Sequence, residues 1–228
     1  MSGQIAKALR LAPTDRIADV GSGTGLFARE VANQLQPRHP ILCIDPSEAM
    51  LSQLGAPPPA NLAPIVASAE DIAEARTRLP YAQLDAMWLK ESVHHVADQE
   101  HTLCGLVDQL APGGRVLVVM LPGAIQYPLF KAALARFEEL QPNPDVIEGH
   151  LRTAGLKASL TYIEHELRID RDKYLSMVRA RYMSLLFTFS DDEIEMGIEE
   201  MRLAHPEPVL VFPDRFAFVL GQRRGVSA

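Results

Sequence analysis

Three groups of residues in this chain have the types and spacing to do chemistry. The first is Asp19-Val20-Gly21-Ser22-Gly23-Thr24-Gly25, a carboxylate followed by three alternating glycines. Glycine lets a backbone come close to a ligand where a Cβ would collide, and a helix opening just behind such a turn favours polar or anionic groups at its N-terminus. The second is Asp45, 20 residues after Gly25, where a carboxylate closing a strand can accept both hydroxyls of a ribose. The third is the adjacent pair His94-His95, whose imidazoles titrate in the range a general base needs.

These groups must be positioned by a scaffold, and the hydrophobic pattern supplies one. A short helix over Ser2–Leu11 precedes a strand over Arg16–Val20, and the glycine turn leads into a helix over Leu26–Leu35. Ile41–Ile44 is a continuous apolar run, as in a strand buried on both faces. Ser47 caps a helix through Met50, Leu51 and Leu54, with Glu48 in its positive first turn. Leu62–Ala67 is the third strand, a helix starts at Ala69 and stops before Pro80, and Leu84–Leu89 is the fourth strand. His94–Ala97 lies past its end, and Glu100–Leu110 is helical. Ala111-Pro112-Gly113-Gly114 turns sharply into a fifth strand, Arg115–Leu121. Strand and helix thus alternate, which predicts right-handed crossovers and a parallel sheet.

Beyond Pro122 the rhythm changes. Helices are expected over Tyr127–Leu140, Asp145–Ala154 (ended by Gly155), Asp172–Phe187 and Ser190–Ala204. The last of these has the capping-box spacing Ser190…Glu193. Lys157–Ile169 reads as a sixth strand and Asp214–Gln222 as a closing one, with Phe216, Phe218 and Leu220 on one face. The expected fold is α/β: a Rossmann-like seven-stranded, mostly parallel sheet with its last strand antiparallel, flanked by helices. One domain spans 1–228, with helical lid segments at about 123–155 and 171–206.

Bulk properties bound the function. At 228 residues and 47% hydrophobic, the chain can bury a full core. A net charge of −7 argues against a nucleic-acid partner, which needs a basic face. No apolar run approaches the roughly 20 residues of a membrane span, and Met1–Leu11 lacks a secretory signal's apolar core. A cytoplasmic protein, without membrane or nucleic-acid partners and either monomeric or homodimeric, is expected. Cys43 and Cys104 read as core thiols, and no metal site is expected.

The acidic-x-Gly-x-Gly-x-Gly stretch resembles the first motif of the class I S-adenosylmethionine-dependent methyltransferases, and the resemblance continues along the chain. Ile44-Asp45-Pro46-Ser47 with Met50-Leu51 looks like the second motif, and Ala67-Ser68-Ala69-Glu70-Asp71-Ile72 is similar to the third. Leu84 to Val96 looks like the fourth, in which a histidine pair often follows the strand, and Leu110 to Leu117 matches the turn before strand five. The resemblance is strong over residues 15–121 and holds as topology beyond. It implies S-adenosylmethionine as cofactor. Asp19, Gly21, Ser22, Gly23 and Gly25 would hold its methionine end, Asp45 and Pro46 its ribose, and Met50, Ser68, Ala69 and Glu70 its adenine. Lys90, Glu91 and His95 would lie beside it. The family often has Asp at the place of Ser68, so Glu70 or the backbone of Ala69 is the alternative partner of the adenine amine.

Methyl transfer requires alignment of a nucleophile and, for an unactivated hydroxyl or amine, removal of its proton. His94 is favoured as the base and His95 as the cofactor's neighbour. The chain lacks the Pro-Pro-Tyr/Phe signature of base-methylating DNA enzymes, a thiolate set for arsenic, catechol-site carboxylates and the paired glutamates of arginine methylation. These absences narrow the field, and the first expectation is methyl transfer to an O or N atom of a small-molecule metabolite, as in secondary metabolism, with the sequence alone leaving the acceptor atom open among O, N, C and S. Tyr127, Arg181 and Tyr182 are the substrate candidates, with Arg181 and Ser184 expected on one helix face. Two other readings stay open. Gly23-Thr24-Gly25-Leu26-Phe27-Ala28 formally fits the dinucleotide pattern of an NAD(P)-dependent oxidoreductase, and a cofactor-binding module without catalysis would share the same loop.

Overall fold

The computed structural model describes residues 1–225. Its seven strands are β1 (Ile17–Val20), β2 (Ile41–Asp45), β3 (Leu62–Val66), β4 (Leu84–Lys90), β5 (Leu110–Met120), β6 (Lys157–Asp170) and β7 (Val209–Gln222). They form one sheet of order β3-β2-β1-β4-β5-β7-β6. The β2–β1, β2–β3, β1–β4 and β4–β5 pairs are parallel, and β7 runs antiparallel to β5. The chain winds outward from β1 to β3 and then returns to β4 on the other side of β1. That reversal leaves a crevice over the carboxyl ends of β1 and β4, the place where open α/β sheets bind ligands.

The chain divides into two compact units. The first holds residues 1–120, 144–161 and the chain from Ala217 on. All of β1 and four of the five residues of β2 are buried, as strands covered on both faces must be. One core layer joins Ala18, Val20, Leu42, Ile44, Met87 and Leu89 of the sheet to Ile72, Leu103, Leu106 and Val107. Its helices are α1 (Ser2–Ala8), α2 (Leu26–Leu35), α3 (Glu48–Leu51), α4 (Ala69–Ala73), α5 (Gln99–Asp108) and α7 (Pro144–Thr153). The α7 segment, expected in a lid, lies in this first unit and packs on α5.

Capping residues set the helix starts. Ser47 Oγ accepts from the Met50 N–H, Asp98 from the His101 N–H, and Ser68 forms a capping box with Asp71. The helix after β3 was expected to run almost to Pro80, but α4 ends at Ala73, with Ala75 in a left-handed conformation. The turn expected at Ala111–Gly114 is a bulge inside β5. Between Leu84 and Ala86 the partner strand advances from Leu110 to Arg115. A Cβ on Gly114 would meet Ala111 O at 2.8 Å and Leu84 O at 3.2 Å, so the bulge requires glycine there.

The second unit holds residues 121–143 and 162–216, with α6 (Lys131–Leu140), α8 (Arg171–Arg179) and α9 (Asp191–Ala204). α6 begins four residues later than the pattern predicted, after extended Phe130. The single helix expected over Asp172–Phe187 is two pieces: α8 ends at Arg179, Arg181 turns left-handed (φ 56°), and Ser184–Thr188 is a 3₁₀ turn. The guanidinium of Arg181 holds that break, donating to Leu186 O at 3.2 Å and Phe189 O at 3.1 Å. The capping box at Ser190 and Glu193 is present. β7 starts five residues before Asp214, its apolar pattern interrupted in sequence by Pro213. Among the described residues no helix is long and apolar enough to cross a membrane.

Where β1 and β4 begin, one ion pair fixes them. The Arg16 side chain donates to Asp85 at 2.7 and 2.9 Å, and the Arg16 N–H donates to the same carboxylate at 2.9 Å. These bonds hold the Asp85 carboxyl below its usual range. About two-thirds of each side chain is covered, so Asp85→Ala is expected to lower unfolding free energy by about 1–2 kcal/mol in urea. A native carboxyl pKa below the unfolded value gives stability above pH ~4 that disappears as pH falls through the native value. The gap between Asp85→Ala and the parent chain should therefore close in strong acid.

Candidate functional site

The glycine turn between β1 and α2 is built from three left-handed residues, Gly21 (φ 75°), Gly23 (φ 55°) and Gly25 (φ 69°). Gly21 and Gly25 leave no room for a side chain, and Gly23 differs. A Cβ on Gly21 would strike Ser92 Cβ at 2.3 Å, and one on Gly25 would strike Leu54 Cδ2 at 2.3 Å. A Cβ on Gly23 would meet nothing within 4 Å, so Gly23 leaves its backbone open to a ligand rather than to protein. The turn is anchored from below, with the N–H groups of Gly21 and Ser22 both donating to Ile44 O, at 2.8 and 2.9 Å.

Asp45, at the end of β2, ties this turn to the next one. Its Oδ2 accepts from the Gly23 N–H at 2.8 Å and its Oδ1 from the Ser47 N–H at 2.9 Å. A carboxylate has about four lone-pair sites, so each oxygen keeps acceptor capacity. Past β4, Glu91 adopts φ 52°, a conformation non-glycine residues rarely take and one that clusters at functional sites. Its N–H donates to Val119 O at 2.9 Å. Ser92 follows, its Oγ donating to Val20 O at 2.9 Å while its side chain occupies the space beside Gly21.

Between these turns lies a cleft of ≈ 460 Å³, within the range of small-molecule and cofactor sites. Of the residues singled out in the sequence, Gly21, Gly23, Asp45, Pro46, Met50, Ser68, Ala69, Glu70, Glu91 and His95 line it. Ser92, Leu89 and Val96 also line it without having been site candidates, as do Val20 of the glycine motif and Ser47, read in the sequence as a helix cap. Ser92 has no motif signal of its own, and its role becomes visible only through contact with Gly21. The Ser68 hydroxyl is occupied by the cap of α4, accepting from the Asp71 N–H at 3.1 Å. Glu70 Oε1 accepts from the Ala97 N–H at 3.4 Å.

The remaining candidates lie off the lining. Ser22 Oγ is buried without a partner, and Gly25 packs on Leu54. The Lys90 ammonium stands 4.4 Å from the centre of the Phe27 ring. Asp19, 3% exposed, is pushed up to about 8, mainly by burial; Trp88 and Lys90 work the other way. His94 is half-buried, its ring 4.1 Å from that of exposed His95 and its Nδ1 without a partner. Burial, and secondarily His95, pulls His94 down to about 4. It is thus neutral at physiological pH, while the cleft is lined by His95 rather than the favoured His94.

The cleft's electrostatics are one-sided. Asp45, Glu70 and Glu91 bring three carboxylates, and among the described residues lining it there is no lysine or arginine. Such a site attracts cationic ligands and repels a pyrophosphate. In the second unit, the Tyr127 hydroxyl donates to Asp214, and the hydroxyls of Tyr174 and Tyr182 are 2.9 Å apart. Arg181 does not share a helix face with Ser184. Besides its two carbonyls it donates to Asp191 Oδ1 at 2.7 Å.

Residues 18–116 match a family model described as a methyltransferase domain. Over 118 residues the chain is 28% identical to the ubiquinone/menaquinone biosynthesis C-methyltransferase of Geobacter sulfurreducens, covering 50% of this chain and 44% of that protein. The chain thus matches less than half the length of this curated relative. Among solved structures, a protein described as a methyltransferase from an antibiotic biosynthesis pathway of Anabaena variabilis aligns with a TM-score of 0.72 at 19% identity, over 95% of both chains. The Haemonchus contortus phosphoethanolamine N-methyltransferase 2, solved with phosphomonomethylethanolamine and S-adenosylhomocysteine, aligns with a TM-score of 0.63 at 16% identity, over 98% of this chain and 52% of that one. Residues 18–116 thus carry a methyltransferase domain, and in its strand order and its glycine turn the chain resembles the class I S-adenosylmethionine-dependent methyltransferases.

Proposed function

We propose that this protein transfers a methyl group from S-adenosylmethionine to an O or N atom of a small-molecule acceptor, as in secondary metabolism. The observation that carries the reading is the cleft itself: three carboxylates, no lining cation among the described residues, and one glycine whose missing Cβ faces open space. The bound cofactor supplies an electrophilic methyl group on a cationic sulfur. Asp19 and the loop Gly21–Gly25, with Ser22, hold the amino-acid end. Asp45 accepts from the ribose hydroxyls with the lone pairs its two amide bonds leave over, and Pro46 closes that side. Met50, Ala69 and Glu70 border the adenine; Ser68 contributes backbone, since its hydroxyl caps α4. Glu91 shapes the wall beyond β4, and Lys90 at the end of that strand stands over Phe27.

His95 is the better placed of the two histidines to take a proton from the acceptor, because it lines the cleft. His94 keeps its ring packed and neutral beside it. Tyr127 and Tyr182, whose hydroxyls pair with Asp214 and Tyr174, are the proposed phenol contacts of the acceptor. Arg181 is already held by two carbonyls and Asp191, so an anionic acceptor has less claim on it. A cytoplasmic setting and a monomer or homodimer, with no nucleic-acid or membrane partner, complete the reading.

Calorimetry with S-adenosylhomocysteine and with NAD(H) tests the cofactor, and labelled S-adenosylmethionine with a metabolite extract tests transfer. Adduct binding with label passing to a small molecule is expected. Tight NAD(H) binding alone would favour the oxidoreductase, and adduct binding without transfer would favour a binding module.

Two pairs of variants follow from the geometry. Gly23→Ala should weaken S-adenosylhomocysteine binding at least about tenfold, with a stability loss near the ~1 kcal/mol of a strained left-handed residue. Gly25→Ala drives a Cβ into Leu54 and should chiefly lower the melting temperature. His95→Ala should lower kcat by about 10²-fold or more while leaving adduct affinity within a few-fold. His94→Ala should affect stability more than kcat.

A further inference from the structure

Trp88 is the only tryptophan of the chain. It is 0% exposed, and its indole Nε1–H is buried without a hydrogen-bond partner of ordinary geometry. An unsatisfied donor in a dry interior is costly, and each instance calls for an explanation. Here the register supplies one. β1 and β4 pair in parallel with Asp19 opposite Trp88, and Asp19 is itself 3% exposed. A buried acid and a buried N–H donor thus stand side by side on neighbouring strands, one residue before the lining of the cleft begins at Val20, and the indole, though outside ordinary hydrogen-bond geometry, already favours the Asp19 carboxylate against burial.

We propose that Trp88 is the positioning residue for Asp19: its indole N–H closes onto the Asp19 carboxylate when that carboxylate ionises to hold the cationic amino group of the cofactor. The proposal rests on the cofactor reading above. It concerns what fixes the carboxylate rather than which residue meets the ligand. Indole is a donor only, and a hydrogen bond to an ionised acceptor is about twice as strong as one to a neutral acceptor. The contact therefore strengthens when the proton leaves Asp19 for solvent. No covalent bond is made or broken otherwise.

The charged and titratable groups facing Asp19 have opposing effects. Lys90 on β4 favours the carboxylate, and Asp45 on β2 opposes it. Cys43, opposite Asp19 on β2, is pushed up to about 12 by burial and remains a neutral thiol. Burial dominates, so the resting carboxyl is protonated at neutral pH and ionises near pH 8. Arrival of an ammonium group then expels the proton. Because Trp88 is the sole indole, its emission reports that event without a label.

The test uses the full ligand-free chain first. Trp88 emission is followed from about pH 6 to 10 in the parent and in Asp19→Asn. The expected result is one transition with a midpoint near 8 in the parent, absent in Asp19→Asn. A flat parent profile, or the same transition in Asp19→Asn, overturns the contact. Calorimetry with S-adenosylhomocysteine then compares Trp88→Phe with the parent. At pH ~7 the variant should bind about fivefold to tenfold more weakly, as for a carboxyl pKa moved by roughly one unit, and the ratio should shrink toward pH ~9. A ratio constant with pH means that Trp88 only fills space, and overturns the proposal. Should Trp88→Phe fail to fold, the adduct-induced change in parent emission decides: it must be present in the parent and lost in Asp19→Asn. A parent chain that titrates but binds no adduct overturns the cofactor reading, and with it the link to ligand, while the Trp88–Asp19 contact survives.

Discussion

The site depends on the two hydrogen bonds that Asp45 accepts. Gly23 and Ser47 belong to different turns, after β1 and before α3, and one carboxylate holds both N–H groups at 2.8 and 2.9 Å. Three left-handed residues in five would otherwise leave the β1–α2 turn floppy, since glycine loses more conformational freedom on ordering than any other residue. Tying its middle glycine to a rigid strand end offsets that cost. The same carboxylate lines the cleft, so one residue both forms the loop and faces the space open to a ligand. Much of the cleft's precision follows from this double use.

Burial and exposure split the acidic groups of the site into two kinds. Asp45, Glu70 and Glu91 reach the cleft and give it negative potential. Asp19 sits beneath, in a dry layer with Trp88 and Cys43, where its charge is suppressed until a cation arrives. The histidines divide the same way, His95 exposed on the lining and His94 half-buried and neutral. In both sets the residues on the lining face the open cleft, and the one beneath is governed by desolvation.

Much of the fold was legible in the sequence, because buried parallel strands read as continuous apolar runs and helix starts carry caps. Ile41–Asp45, Ser47, Ser190 with Glu193, and the glycine turn are examples. What was not legible depended on long-range geometry. The helix break at Arg181 has no glycine or proline to announce it; it is held by carbonyls five and eight residues on. The bulge at Ala111–Gly114 looked like a turn because its glycines serve a strand that slips against β4. Which histidine lines the cleft, and that Ser92 packs beneath Gly21, depend on where the chain goes after β4, which periodicity does not encode.

The two units interleave along the chain, which passes from one to the other four times. Neither is a continuous segment, and β5 reaches its antiparallel neighbour only through residues Ala217–Gln222. During synthesis the parallel part of the sheet is complete as far as β5 about a hundred residues before Ala217 is made. Throughout that interval β5 presents an open hydrogen-bonding edge of Val116, Leu117, Val118 and Val119, every one buried in the finished fold. The nascent chain therefore carries this apolar edge open until Ala217–Gln222 have emerged, and β7 seals the sheet in time as well as in space.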